Sequence, residues 1–177
     1  MKYITLFETI EDYNTAILDL PNVSLVEENM SVSYKPYVEP LFFCKLTLSD
    51  NGVVELEGSG ELTPTMTQNY RSTLVSAEIG KLCTSIASAV FYDCSGLTNV
   101  TIGNGVTSIG AVAFYNCSSL TSITSNAITA PTIQSDTFQF VKTGGTLTVP
   151  AGSSGYDVWV GTGDYYLGKY NWNKVEQ

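Results

Sequence analysis

Between Leu74 and about Gly145 the chain carries one 23-residue pattern twice in full and a third time with slippage. Laid over each other, 74–96 and 97–119 agree at Leu74/Leu97, Ile79/Ile102, Gly80/Gly103, Thr84/Thr107, Ser85/Ser108, Ile86/Ile109, Phe91/Phe114, Tyr92/Tyr115, Cys94/Cys117 and Ser95/Ser118, which is ten of 23 positions and too many for coincidence. A fixed period in this range marks a solenoid, in which each unit is one supersecondary turn that cannot bury its apolar side alone. In the second copy that side is Leu97, Val100, Ile102, Val106, Ile109 and Phe114. So few apolar groups cannot offset the ordering of a whole repeat, so the coils must stack and the flanking sequence must supply the ends.

The flanks give an α+β expectation: a small helix-plus-hairpin module, then a short β-rich solenoid of these repeats with an aromatic C-terminal cap. In 1–40, Thr9 caps a helix over Ile10–Leu18, with Phe7, Ile10, Tyr13, Ile17 and Leu18 as its apolar stripe and Pro21 as its stop. Val23–Val26 and Val32–Tyr34 read as short strands. In 41–73, Leu41–Leu48 and Val53–Leu56 form a hairpin about Ser49-Asp50-Asn51-Gly52, because Asn-Gly suits the positive φ of a tight turn. Thr63-Pro64 then opens a helix of one or two turns through Tyr70, and these elements are expected to cap the first coil. Repeats occupy 74–150. Each holds a strand (Leu97-x-x-Val100-x-Ile102), a second extended piece (Val106–Ile109) and a helical or 3₁₀ turn at Ala113–Cys117. The third copy starts at Leu120 and Ile123 and carries insertions before Ile133 and Phe138. In 151–177, Tyr156, Trp159, Tyr165, Tyr166, Tyr170 and Trp172 are dense enough to cover an open solenoid end.

Lys and Arg total 8 against 17 Asp and Glu, a net charge of -9, so a nucleic-acid backbone would be repelled. The repeats are nearly neutral and rich in Ser and Thr, which gives them a hydroxylated surface. Of the four cysteines, Cys44, Cys83, Cys94 and Cys117, the last two sit one period apart and are expected to stack as buried free thiols. No CxxC pair and no histidine supports a metal site, and no cofactor is expected. No segment approaches the about 20 apolar residues of a membrane span, and the opening Met-Lys-Tyr-Ile-Thr-Leu-Phe-Glu lacks the features of a secretory signal, so no Sec-dependent export is expected.

At Leu97-Thr-Asn-Val-Thr-Ile-Gly-Asn-Gly-Val-Thr-Ser-Ile-Gly110-Ala-Val-Ala-Phe114-Tyr-Asn-Cys117-Ser-Ser the chain resembles the BspA-like leucine-rich repeats over about 74–150. Gly105 departs from the commoner leucine-rich repeat, which has an Asn or Cys ladder residue there, and the ladder cysteine falls near the repeat's end. The resemblance implies a surface protein that binds matrix proteins, cells or glycans, and similar repeats occur in phages of gut bacteria. The opening stretch, Phe7 to Tyr13 and Pro21 to Tyr34, is similar to the amino-terminal segment of some gut-bacterial and phage structural proteins, which implies an attachment or assembly module.

Chemistry is sparse. Without histidine there is no Ser-His-Asp triad, no Cys-His pair and no imidazole acid-base group. Gly58-Ser59-Gly60 and Gly161-Thr162-Gly163 are too short for a dinucleotide loop. Glu55 and Glu57 share one face of a strand, either as a glycosidase-like carboxylate pair or as a solvated acidic edge. The stronger candidate is the outward sheet face, where Ser76 and Glu78, Asn99 and Thr101, and Ser122 and Thr124 form two polar rows, serving either as a binding face or as an ordinary wet sheet. Tyr92 and Tyr115 make a third row, for packing or for binding. The expectation is a non-enzymatic structural or recognition protein whose partner is a protein or a cell-surface glycan, without membrane insertion and with homo-oligomerisation left open. A phage virion component (fibre, decoration or appendage) is the first expectation, and a bacterial surface or secreted adhesin the alternative.

Overall fold

Alternation of inward aliphatic and outward short polar residues makes each repeat's first segment a strand, and the fixed period lays it beside its counterpart in the next coil. The computed structural model describes residues 42–48, 52–57, 60–161 and 166–177, all within the unit Phe42–Gln177. The helix expected over Ile10–Leu18 and the strands expected over 23–26 and 32–34 lie outside the described residues.

The strands are β1 (Phe42–Leu48), β2 (Val53–Glu57), β3 (Gly60–Leu62), β4 (Leu74–Ile79), β5 (Cys83–Ile86), β6 (Asn99–Ile102), β7 (Ser108–Ile109), β8 (Ser122–Ser125), β9 (Thr146–Val149) and β10 (Asn173–Glu176). Between β3 and β4 the chain makes one short α-helix, α1 (Pro64–Thr67), and a 3₁₀ turn (Gln68–Tyr70). Proline opens α1 where its missing N–H costs nothing, although Thr63 makes no side-chain cap and pairs instead with the Thr65 hydroxyl at 2.9 Å.

Among the described residues, one sheet has the order β10-β9-β8-β6-β4-β1-β2 and a second the order β3-β5-β7. β4, β6, β8, β9 and β10 run parallel, one per coil, so the described part is a β-solenoid. β1 adds antiparallel to the edge of β4 and pairs on its other side with β2 as the expected hairpin. A bridge from Ser108 to Thr132 extends the second sheet by one coil, and a separate bridge joins Thr129 to Ser154.

In-register stacking builds a dry column. Ile79 pairs with Ile102 and Ala77 with Val100, and Val100 continues through Ile123 to Leu147. All six are buried. Phe91 stacks on Phe114 at 5.1 Å and Phe114 on Phe138 at 5.5 Å, and Phe138 meets Trp159 at 5.3 Å and 51°. Threonines tie the coils from outside: the Thr98 hydroxyl donates to the Val75 carbonyl at 2.9 Å, Thr107 to Thr84 at 3.1 Å and Thr121 to Thr98 at 3.3 Å, each one period back. Backbones also approach directly. A Cβ at Gly103 would lie 2.6 Å from the carbonyl oxygens of both Ile79 and Gly80, closer than any side chain tolerates.

The expected helical or 3₁₀ turn at Ala113–Cys117 is a chain of single turns rather than a continuous helix. Val112 and Asn116 take left-handed backbone (φ 50 and 55), as do Ala89 and Asp93 one coil earlier, and this interrupts the run of right-handed residues a helix needs. Amide donors then alternate between short turn bonds and the next coil. Tyr115 donates to Val112 at 3.1 Å, while Phe91 donates to Ala113 at 2.8 Å and Asp93 to Tyr115 at 2.9 Å.

The third coil lengthens by one residue between Ser125 and Thr132, since Ile102 faces Ser125 and Ser108 faces Thr132. Ser125 falls where the earlier coils place Ile79 and Ile102, and it is buried. Tyr156 explains the polar choice, because its hydroxyl lies 2.6 Å from Ser125 Oγ and donates to the Ala127 carbonyl at 2.8 Å. Trp159 donates from Nε1 to the Pro131 carbonyl at 3.1 Å, and the Trp172 indole lies against Gly145 and donates to the Lys142 carbonyl at 2.7 Å.

All four cysteines are free and buried. Burial pushes Cys44 and Cys94 up to about 12 and raises Cys83 and Cys117 as well, against an ordinary 9.0. Each thiol is therefore held protonated in the fold while the unfolded chain ionises first. Stability is full below pH 9 and falls as pH rises toward 12. Denaturant melts at stepped alkaline pH should show this fall, with a shallower slope for Cys94→Ala, and the four thiols should resist a soluble disulfide reagent until unfolding.

Two substitutions should move stability in opposite directions. Phe114→Ala opens the middle of the ring stack and should cost about 3–5 kcal/mol. Val112→Gly relieves a β-branched residue in left-handed backbone and should gain about 1 kcal/mol. Urea midpoints of the two variants check both values.

Candidate functional site

The parallel register decides what the outward face of the larger sheet presents. Ser76 lies opposite Asn99, and Asn99 opposite Ser122, while Glu78, Thr101 and Thr124 form the adjacent row. All six residues named from the sequence are therefore brought together as two files across β4, β6 and β8. Glu78 and Asn99 are exposed, and Ser76, Thr101, Ser122 and Thr124 are half-buried by their neighbours. Strands about 4.8 Å apart give each file a regular pitch. The Asn99 amide donates to the Thr98 hydroxyl at 2.9 Å, which links the face to the threonine ladder beneath its edge.

Both rows extend further than the repeat alone indicated. Ser122 continues to Thr146 and then Asn173, and Thr124 to Thr148 and then Val175. The spacing widens in these later coils, which hides the added members from a fixed-period reading. The signal available was the alternation Thr146-Leu147-Thr148-Val149, whose inward members Leu147 and Val149 are buried. On the other side, β1 sets Thr47 opposite Ser76 and Lys45 opposite Glu78 in the backbone register.

The aromatic row is a packed ladder. Tyr92 and Tyr115 stack at 4.9 Å and 4°, the Arg71 guanidinium sits 5.7 Å from the Tyr92 ring centre, and Phe140 meets Tyr115 edge-on at 5.2 Å. Phe140 donates its N–H to the Tyr170 hydroxyl at 2.8 Å. The stacked faces of the two tyrosines are thereby used internally, and a sugar or ring partner would find chiefly their edges. A depression of about 240 Å³ lies between later coils, lined by Ala130, Pro131, Thr132, Ile133, Gly155, Val158 and Trp159, and none of these side chains is an acid, a base or a strong nucleophile.

Glu55 and Glu57 lie two apart on β2, and their side chains fall outside the described residues, as do Gly58, Ser59, Thr162 and Gly163.

With this geometry in place, residues 68–155 match the family model for a BspA type leucine rich repeat region, in six copies. No curated protein and no solved structure matches the chain. The matched stretch is thus a BspA-type leucine-rich-repeat solenoid, a scaffold typical of surface or recognition proteins rather than of enzymes.

The face and the ladder behind it should respond differently to substitution. Glu78→Gln, on the exposed face, should change stability by less than about 0.5 kcal/mol. Thr98→Val deletes the hydroxyl bonded to Val75 and should cost about 1 kcal/mol. Thermal melts of the two variants side by side test the assignment.

Proposed function

We propose that the protein is a non-enzymatic recognition or attachment protein that meets its partner, a protein or a cell-surface glycan, through the polar rows of the larger sheet. The contact set is Ser76, Glu78, Asn99, Thr101, Ser122 and Thr124, extended by Thr146 and Thr148. The observation that carries this reading is the unbroken register of short hydroxyl, amide and carboxylate side chains across successive parallel strands. The Ser, Thr and Asn side chains have few rotamers to lose and sit on a rigid backbone, so they form hydrogen bonds at small entropic cost.

Placement on a virion, as a fibre, decoration or appendage protein, is part of this proposal and draws on the opening segment's resemblance to phage structural proteins. The alternative is a bacterial cell-surface or secreted adhesin that uses the same sheet face to bind host protein or glycan. Mass spectrometry of purified particles and of cell-surface fractions separates the two: recovery with the particles supports the virion reading, and recovery with the envelope alone supports the adhesin.

For the face itself, the purified protein should bind a subset of a glycan array or of matrix-protein-coated wells. Thr101→Arg with Ser122→Arg should weaken that binding at least tenfold, and Thr132→Arg, in the second sheet, should leave it unchanged. The reverse pattern, or equal loss from both, would remove the face from the proposal.

A further inference from the structure

β10 has a partner on one side only: it pairs with β9, and among the described residues no strand lies along its other edge. Asn173 donates its N–H to Gly145 at 3.0 Å and Gln177 donates to Val149 at 3.0 Å. Backbone groups alternate sides along a strand, so the N–H and C=O of Lys174 and Glu176 turn to the open edge. Val175 points outward and is 47% exposed, one of few large apolar side chains left in solvent among the described residues.

The edge reads Asn173-Lys174-Val175-Glu176-Gln177, and reversed it remains complementary to itself. An antiparallel copy centred on Val175 sets Lys174 opposite Glu176 of the second copy, Glu176 opposite its Lys174, and Val175 opposite its Val175. Lys174 and Glu176 own the free backbone groups, so these become the hydrogen-bonded pairs. Val175 then falls in the non-hydrogen-bonded pair, whose side chains come closest, about 4.5 Å between Cα atoms. Backbone polarity, side-chain charge and the single exposed aliphatic group thus select the same register.

Lys174 also explains why the edge would take this partner rather than another stacked coil. It occupies the inward register position, opposite buried Leu147, and its ammonium lies 2.7 Å from Asp157 and 3.6 Å from Glu176. A further apolar coil laid on β10 would bury that charge against carbon, whereas an antiparallel copy brings a carboxylate to it.

We propose that two copies of this chain associate about a twofold axis at Val175, through antiparallel β10–β10 pairing that joins the two larger sheets into one. The pairing does not rest on the recognition role of the sheet face, but it would run the polar rows of both copies into a continuous surface and present two equivalent sites.

The test uses the 177-residue chain. Light scattering after size exclusion, over a concentration series, should show a monomer–dimer equilibrium. Val175→Lys, which sets two like charges across the axis at an exposed position, should shift the midpoint at least tenfold toward monomer, with an unchanged thermal melt at concentrations where both proteins are monomeric. Under mild oxidation Val175→Cys should form a disulfide-linked dimer at concentrations where Asn173→Cys, whose opposite residue is Gln177, does not. The native cysteines are buried and do not compete. A wild-type monomer at every concentration, equal cross-linking of the two cysteine variants, or a Val175→Lys dimer of unchanged affinity would each overturn the proposal.

Discussion

The contact between consecutive coils governs this molecule, and it is made at two depths at once. Inside, Phe91, Phe114 and Phe138 lie ring on ring and Ile79 lies on Ile102, so each coil forms the floor of the next. At the periphery the backbones themselves touch, with Gly103 set against the carbonyls of Ile79 and Gly80. No single coil has an inside of its own, which is why the apolar groups of one repeat become a core only when the neighbours arrive.

That dependence transmits regularity to the surface. Once inward residues are held in register, the outward ones have no freedom to drift, because side chains alternate strictly along a strand. The rows from Ser76 and Glu78 to Thr146 and Thr148 follow from Ala77, Val100, Ile123 and Leu147 being stacked behind them. A face of this sort is preorganised by the core and would carry little ordering cost into the binding proposed for it. The same geometry keeps the Tyr92–Tyr115 ladder turned in on itself, with its stacked faces already in use.

A stack has ends, and the two described here are handled by different chemistry. β1 meets β4 antiparallel, which breaks the parallel succession with a hairpin. At the other end Tyr156 stands beside Ser125, Trp159 packs on Phe138 and Trp172 lies against Gly145, and each finds a hydrogen-bond partner for its polar atom. β10 is the last strand of this sheet and carries Lys174 on its inward side, held by Asp157.

Local pattern was enough to read the period, the stacking of Ile79 on Ile102 and Phe91 on Phe114, the burial of Cys94 and Cys117 and the alignment of the two polar rows, because identical residues at a fixed spacing must occupy equivalent positions in a solenoid; the antiparallel pairing of β1 with β2 was legible from two apolar runs set close together. What the tertiary structure alone decided lies where spacing changes or a partner is remote. Ala113–Cys117 reads as a helical or 3₁₀ turn, and the structure keeps only separate short bonds from Tyr115 and Cys117, because the left-handed Val112 and Asn116 send the amides of Phe114 and Asn116 to the neighbouring coil. Ser125 makes sense only with the Tyr156 hydroxyl beside it, 31 residues on. The rows reach Thr146, Thr148 and Asn173 only once the longer coils are wound back into register. Sequence periodicity encodes which residues are equivalent, whereas the hydrogen bonds and contacts that join inequivalent coils exist only in three dimensions.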